Sequence, residues 1–314
     1  MQDNLLLPLR RSWGKSRLSK FDLPPRTISN MKTKLLLLIV LCFLTSSFKQ
    51  KDSVRPAPPL LQNLNISFLL DLSDRIDPKK NPGIYQRDVE HIKSVEAAFV
   101  KHVQRKKVML LNDQMQVFFE PIPSKPDINK LSEQLMVYFD KTANKGKIAT
   151  VNKKYADVPS KIYQSAIKDN FYVGSDTWRF FKSKVKKYCI KDNYRNILVI
   201  LTDGYMFYKG TITEDKNMTT YLTPALIKEK KLTGANFKDI IKKSNLGFIP
   251  ATNGLNNLEV LVLGINPSKS NPFEEDVINQ YWSDWFKAMN VKKFSINTTD
   301  LPVFVDPVIR EFIK

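Results

Sequence analysis

The stretch Ile197-Leu-Val-Ile-Leu-Thr-Asp-Gly204 (ILVILTDG) sets the fold that we expect of this chain. Five consecutive apolar residues run directly into a threonine, an aspartate and a glycine. An unbroken apolar run of this length is typical of a strand that is covered on both faces, as in the middle of a parallel sheet. The polar triplet then marks the carboxyl end of that strand.

Two other runs share this pattern and predict further buried strands: Ile66–Leu70, which is followed by Asp71, and residues 258–267 (LEVLVLGINP). Between the strands, apolar residues recur at helical spacing, for example from Ile84 to Val103. Strands that alternate with helices predict an α/β fold. We therefore expect a doubly wound, mostly parallel sheet with one antiparallel edge strand and helices on both faces.

The antiparallel edge is expected from a hairpin. Lys107–Leu111 and Gln114–Glu120 flank Asn112-Asp113, which is typical of a two-residue turn between paired strands. After it, the spacing of Ile128, Leu131, Leu135 and Phe139 predicts an amphipathic helix.

The N-terminal part of the chain differs from the rest. A basic start at Met31 precedes ten apolar residues, Leu35–Leu44, and then small polar residues, which is typical of a signal peptide. Ten apolar residues are short for a membrane span, and a short uncleaved anchor is the alternative. We expect an extension over 1–30, a signal peptide or anchor over 31–47, a linker over 48–63 and one domain over 64–314. The protein would then be exported, and would be periplasmic, envelope-associated or extracellular.

The chain carries a formal net charge of +19, with 50 Lys and Arg against 31 Asp and Glu. Such a balance favours anionic partners, and we expect an acidic protein surface or an anionic polymer. The lysines are scattered in pairs without interleaved aromatics, so no specific nucleic-acid partner is expected. The apolar segment near the N-terminus makes membrane proximity a further expectation.

Polar clusters fall at three points where a doubly wound sheet binds ligands, beyond the carboxyl ends of its strands. Asp71 and Ser73 follow the first strand, Thr177 opens a helix, and Asp203 follows the central strand. Each cluster alone is also explained by a turn or a helix cap. Together they suggest one site.

The three clusters resemble those of a von Willebrand factor A domain, with Asp-x-Ser after strand one and TDG after the central strand. The resemblance covers about residues 64–313. It implies a metal-ion-dependent adhesion site in which Asp71, Ser73, Thr177 and Asp203 hold Mg²⁺ or Mn²⁺, hard cations that prefer oxygen ligands. A vacant position on the cation would capture a carboxylate of a partner.

Arg75 departs from this pattern, since the family has a second serine there. A guanidinium beside a divalent cation is electrostatically costly. It could point away and spare a weaker metal site, or pair with Asp71 or Asp203 and replace the metal, in which case no cofactor is expected. Asp74 and Asp77 are spare acids that could compensate Arg75. We expect a weakened or lost site.

The resulting hypothesis is a non-enzymatic protein-binding, adhesion or assembly module of the cell envelope, which uses the loop face at the carboxyl ends of the strands. Three aromatic residues that follow Asp203 are expected to contact the partner there: Tyr205, Phe207 and Tyr208.

The alternative is a metal-dependent phosphotransfer hydrolase with Asp71 as its nucleophile. That chemistry usually uses a second aspartate two residues on, where this chain has Ser73. No Gly-rich phosphate loop is found either.

Overall fold

Three strands that are almost wholly buried lie at the centre of the sheet. The computed structural model describes residues 61–172, 174–298 and 301–314. In it, β1 (Asn63–Leu70), β4 (Tyr194–Leu201) and β8 (Leu258–Ile265) are neighbours and pair in parallel. All eight residues of β8 are buried, which explains why its sequence shows no alternation of apolar and polar residues. The predicted extension, signal segment and most of the linker lie outside the described residues.

The sheet is completed by β2 (Asp113–Phe118), β3 (Val137–Phe139) and β9 (Lys293–Thr298), in the order β3-β2-β1-β4-β8-β9. Only β3 runs antiparallel among these six described strands. The predicted mostly parallel sheet with one antiparallel edge is therefore confirmed. Successive strands are added on one side of β1 and then, from β4, on the other. This reversal of strand order opens a crevice at the carboxyl ends of β1 and β4.

The predicted hairpin around Asn112-Asp113 is wrong. Residues 108–110 form a 3₁₀ turn, and β2 pairs with β1 in parallel and with β3 antiparallel. The Asp113 carboxylate is buried and accepts hydrogen bonds from the backbone of Leu64 (2.8 Å) and from Nζ of Lys106 (2.7 Å). Asp113 therefore starts a strand instead of turning the chain. The predicted helix over Ile128–Phe139 is also too long, because its last three residues form β3.

Eight α-helices surround the sheet in the described part of the chain. They are α1 (Ile84–Gln104), α2 (Pro126–Gln134), α3 (Lys145–Asp169), α4 (Thr177–Ser183), α5 (Pro224–Glu229), α6 (Phe237–Ser244), α7 (Glu274–Ala288) and α8 (Pro302–Ile313). A π-helical turn, Val185–Cys189, follows α4. None of the described helices is long and apolar enough to cross a bilayer. A small second sheet combines β5 (Glu214–Asp215), β6 (Met218–Thr219) and β7 (Gly247–Phe248).

The helices form a core on each face of the sheet. Residues of α1, α3 and α8 pack on one face, and residues of α4 and α7 pack on the other. On α7, Trp282 is fully buried, and its indole N–H donates to the carbonyl oxygen of Gly204 (2.8 Å). This bond fixes the loop that leaves β4, so the packing of α7 helps to position the candidate site.

Candidate functional site

Asp71 and Asp203 meet at the crevice between β1 and β4. The two strands are in register, with Leu70 opposite Leu201. The residues that follow the two strands therefore leave the sheet side by side. The backbone N–H of Asp71 donates to the carbonyl oxygen of Leu201 (3.0 Å). The hydroxyl of Thr202 donates to Oδ2 of Asp71 (3.1 Å). Two of the predicted clusters are thus joined through Thr202, the threonine of the Thr-Asp-Gly triplet.

The two carboxylates share a low-dielectric environment. Asp71 is 3% exposed, and its Oδ1 accepts from the backbone N–H of Ser73 (2.9 Å). Asp203 is half-buried and accepts from the N–H of Tyr205 (3.1 Å). Burial raises the pKa of Asp71 above its usual value, although the nearby Arg75 acts in the opposite direction. Burial, together with the negative charge of Asp71, raises the pKa of Asp203 to about 7.

Arg75 points into the protein and binds Asp88. Its guanidinium is buried and donates from Nη1 to Oδ2 of Asp88 (2.7 Å) and from Nη2 to Oδ1 (3.2 Å). The hydroxyl of Tyr163 also donates to Asp88 (2.9 Å). Burial alone opposes the charge, but Asp88 outweighs it and holds the pKa of Arg75 above its ordinary value. Arg75 reaches Asp71 only through the backbone carbonyl oxygen (3.4 Å).

Gly264 on β8 provides the space for this ion pair. A Cβ at that position would lie 3.0 Å from the carbonyl oxygen of Thr202 and 3.1 Å from Nη2 of Arg75. Its φ of +98° lies in the region that other residues rarely adopt. The pairing of β8 with β9 also shifts its register between Leu263 and Ile265. The glycine therefore lets β8 pass close to the guanidinium.

Thr177 lies at the start of α4 and is buried. Its hydroxyl is 3.5 Å from the hydroxyl of Ser175, and no hydrogen bond among the described residues joins it to Asp71 or Asp203. The preceding residue, Asp176, caps α4 by accepting from the N–H of Arg179 (2.9 Å). That Thr177 belongs to a metal site stays a prediction.

Asp74 and Asp77 do not compensate Arg75. Asp74 is exposed and pairs with Nζ of Lys80 (2.8 Å). Asp77 accepts from the backbone N–H of Lys79 (2.9 Å), which closes a local turn. The compensating acid is Asp88, which comes from α1 instead of the same loop.

The three aromatic residues of the predicted contact surface differ in exposure. Tyr205 is half-buried, and its hydroxyl donates to Oε1 of Glu274 (2.5 Å) and accepts from the N–H of Ser268 (3.0 Å). Tyr208 is half-buried, and Arg179 lies over its ring at 5.2 Å. Phe207 is 45% exposed. An isolated bridge between Ser175 and Phe207 ties this segment to the loop before α4.

The donor set fits a hard cation in its chemistry. Asp71, Asp203 and the Ser73 hydroxyl supply oxygen ligands at one point, and burial raises the pKa of both carboxyls. No group of three or more His, Cys, Asp or Glu side chains that could hold a metal occurs within the described residues. Any cation here would therefore depend on two carboxylates and on hydroxyls or water.

Sequence reasoning missed Asp88, Tyr163 and Gly264. Asp88 carried a signal, because it lies four residues from both Ile84 and Ile92 on the apolar stripe of α1. A carboxylate within such a stripe indicates a buried partner. No sequence pattern indicated that a side chain at position 264 would collide with its neighbours.

Comparisons with known proteins find only distant structural similarity. No family model and no curated protein matches the chain. Among solved structures, the pilus adhesin SpaC from Lactobacillus rhamnosus GG is similar at 11% identity and a TM-score of 0.39 over 81% of this chain. Proximal thread matrix protein 1 from the mussel byssus is similar at 12% identity and a TM-score of 0.35 over 82%. This chain spans 30% and 49% of those two longer chains.

Proposed function

We propose that this protein is a non-enzymatic binding module, and that its loop face at the carboxyl ends of β1 and β4 captures a carboxylate of a partner protein through a weakly held Mg²⁺ or Mn²⁺. One observation carries the proposal. The carboxyl groups of Asp71 and Asp203 lie close together, and the charge of the nearby Arg75 is already balanced by Asp88. The apolar segment Leu35–Leu44 supports an exported, envelope-associated or extracellular location.

The Arg75–Asp88 ion pair favours a site that can still bind a metal ion over one in which the guanidinium has replaced the metal. A free guanidinium next to Asp71 and Asp203 would compete with a divalent cation. With Arg75 held by two hydrogen bonds to Asp88, the ion pair is close to neutral, and above a pH of about 7, where Asp203 ionises, the neighbouring site carries a net negative charge. Residual repulsion between Arg75 and the cation should weaken binding of the cation compared with a site that has a serine hydroxyl at position 75.

Asp71, Asp203 and Ser73 would hold the ion, which when bound supplies a vacant position for a partner's carboxylate. The chain's own residues then set the contact. Phe207 offers an exposed ring four residues after Asp203, whereas Tyr205 is tied to Glu274 and orients the loop.

The hydrolase alternative is disfavoured by the residue two positions after Asp71. Phosphotransfer with an aspartate nucleophile usually uses a second aspartate there, whereas this chain has Ser73. No observation on the described residues favours catalysis.

The proposal is tested with a poly-glutamate peptide as a carboxylate probe, the full chain and either Mn²⁺ or a chelator. We expect Mn²⁺ to raise the affinity of the wild type for the peptide several-fold and to have no effect on Asp203→Asn. Binding that ignores both the chelator and the substitution would refute a cation-dependent site, because it would reflect the general basic charge of the chain.

A further inference from the structure

The end of the sheet opposite to Asp71 and Asp203 is strongly basic. Four segments meet there, at the amino ends of the parallel strands: 101–107, 186–195, 292–293 and 310–314. They contain twelve lysines and arginines and two acids, Asp192 and Glu311. The segments that follow β1, β4 and β8, 71–83, 202–216 and 266–276, instead contain six basic and nine acidic residues. We call the four basic segments the basic pole.

A cleft in the basic pole lies between the carboxyl ends of α1 and α8. It has a volume of about 190 Å³, and five basic side chains and one acidic side chain line it: Lys101, His102, Arg105, Arg310, Lys314 and Glu311. Arg195 on β4 donates to the carbonyl oxygens of Phe312 and Ile313, which fixes α8 at this end of the sheet. The cleft is therefore an ordered part of the fold.

Internal ion pairs account for only part of this charge. Five of the basic side chains have an acidic partner: Lys106 with Asp113, Arg195 and Lys292 with Glu259, Arg310 with Asp306, and Lys314 with Glu311. Lys101, Arg105 and Lys107 are exposed and have no ion pair within the described residues. Basic residues in the last turn of a helix also interact with its dipole, but that explanation does not extend to Lys107 or to the lysines before β4 and β9.

The chain enters the domain at this same end. Nε2 of His102, one of the cleft residues, donates to the carbonyl oxygen of Gln62, which directly precedes β1. Only 17 residues lie between the apolar segment Leu35–Leu44 and Gln62 in the sequence. Even a fully extended connection of that length reaches no more than about 60 Å. Along the chain, the basic pole is therefore the end of the domain that is connected most directly to that apolar segment.

We propose that the basic pole docks on an anionic lipid surface, with headgroup phosphates bound in the cleft between α1 and α8. A single short apolar segment gives weak membrane attachment, and a basic surface is the second signal that makes attachment stable. Each lysine or arginine near an anionic surface adds to the attraction. This orientation directs the Asp71–Asp203 face away from the membrane, where a partner can reach it.

The proposal is tested by flotation of the full chain with vesicles of phosphatidylcholine alone or with added phosphatidylglycerol. The test variant is Lys101→Glu/Arg105→Glu/Lys107→Glu. The matched control is Lys79→Glu/Lys209→Glu/Lys269→Glu, which makes the same change in net charge at exposed residues that follow β1, β4 and β8. Thermal unfolding of both variants verifies that they fold. The apolar segment and the basic residues before it are unchanged in all three proteins.

We expect the wild type and the control to prefer the anionic vesicles, and the test variant to lose at least about tenfold in affinity for them. Binding to neutral vesicles should be equal for all three. Equal losses in the two variants would overturn the proposal, because they would show an effect of net charge alone. A wild type that binds heparin or nucleic acid but shows no preference for anionic vesicles would overturn it as well.

Discussion

Arg75 and Asp88 form a buried, two-point ion pair beneath the candidate site, with N–O distances of 2.7 and 3.2 Å. Arg75 comes from the loop after β1, and Asp88 comes from the first turns of α1. Neither side chain is more than 3% exposed. The pair both anchors the loop that carries Asp71 and neutralises the positive charge nearest to it.

Removing the charge of Asp88 should destabilise the fold. In Asp88→Asn the guanidinium of Arg75 stays buried without a full counter-charge, and we expect a loss of about 3 kcal/mol in the free energy of unfolding. Urea denaturation measures it. Asp74→Asn, at an exposed pair with Lys80, should change the same quantity by less than about 0.5 kcal/mol. Similar losses in both variants would contradict a stabilising role of the buried pair.

Gly264→Ala should lower the free energy of unfolding by more than the strain of a positive φ alone would. Its Cβ would press on Thr202 and Arg75, and its φ is +98°. We expect a loss of at least about 2 kcal/mol in the free energy of unfolding. Gly254→Ala is the matched control, because its φ is +62° but no atom lies within 4 Å of the added Cβ, and it should cost about 1 kcal/mol. Equal costs would mean that the space beside Arg75 does not limit residue 264.

Stability should fall as pH rises through the range of about 4 to 7. The pKa of Asp203 is about 7 in the folded protein against 3.8 ordinarily, so the folded protein retains a proton that the unfolded chain has lost. The stabilisation is therefore present at low pH and is lost as Asp203 ionises. Burial also raises the pKa of Glu96 to about 7, with the same sign.

Urea unfolding at a series of pH values tests this expectation. Asp203→Asn should remove part of the decrease in the free energy of unfolding with rising pH. Glu96→Gln should remove another part of that decrease. An unchanged pH profile in Asp203→Asn would show that its carboxyl is already ionised well below neutral pH.

Substitutions of Tyr205 and Phe207 should have different effects, the first on stability and the second on binding. Tyr205→Phe removes a hydroxyl that contacts Glu274 and Ser268, and should lower the free energy of unfolding by about 1 kcal/mol. Phe207→Ser alters an exposed ring and should change stability by less than about 0.5 kcal/mol while it weakens binding of the carboxylate probe. Loss of stability in Phe207→Ser with unchanged binding would assign Phe207 to the core.

The sequence predicted the central fold well, because long apolar runs such as that of β8 have one physical explanation in a parallel sheet. It did not predict β3, which has only three residues and directly follows a helix with the same apolar spacing. Asn112-Asp113 suggested a turn, but the Asp113 carboxylate has a buried partner in Lys106, which a local pattern does not reveal.

The site was predictable where it depends on strand ends and not where it depends on tertiary contacts. Parallel strands in register bring Asp71 and Asp203 together, as their positions after apolar runs predict. The orientation of Arg75 depends on Asp88, thirteen residues away on a helix, and on the absence of a side chain at Gly264. Neither condition follows from the Asp-x-Ser-x-Arg spacing.

Direct binding of Mn²⁺ tests the central claim most sharply. Electron paramagnetic resonance of free Mn²⁺, titrated into the full chain at a pH of about 8, counts the bound ions, and Asp203→Asn serves as the control. We predict one ion bound per chain with a dissociation constant of about 0.1–1 mM, and its loss in Asp203→Asn. No bound Mn²⁺ in the wild type at several millimolar, or equal binding in both proteins, would contradict a cation site at Asp71 and Asp203.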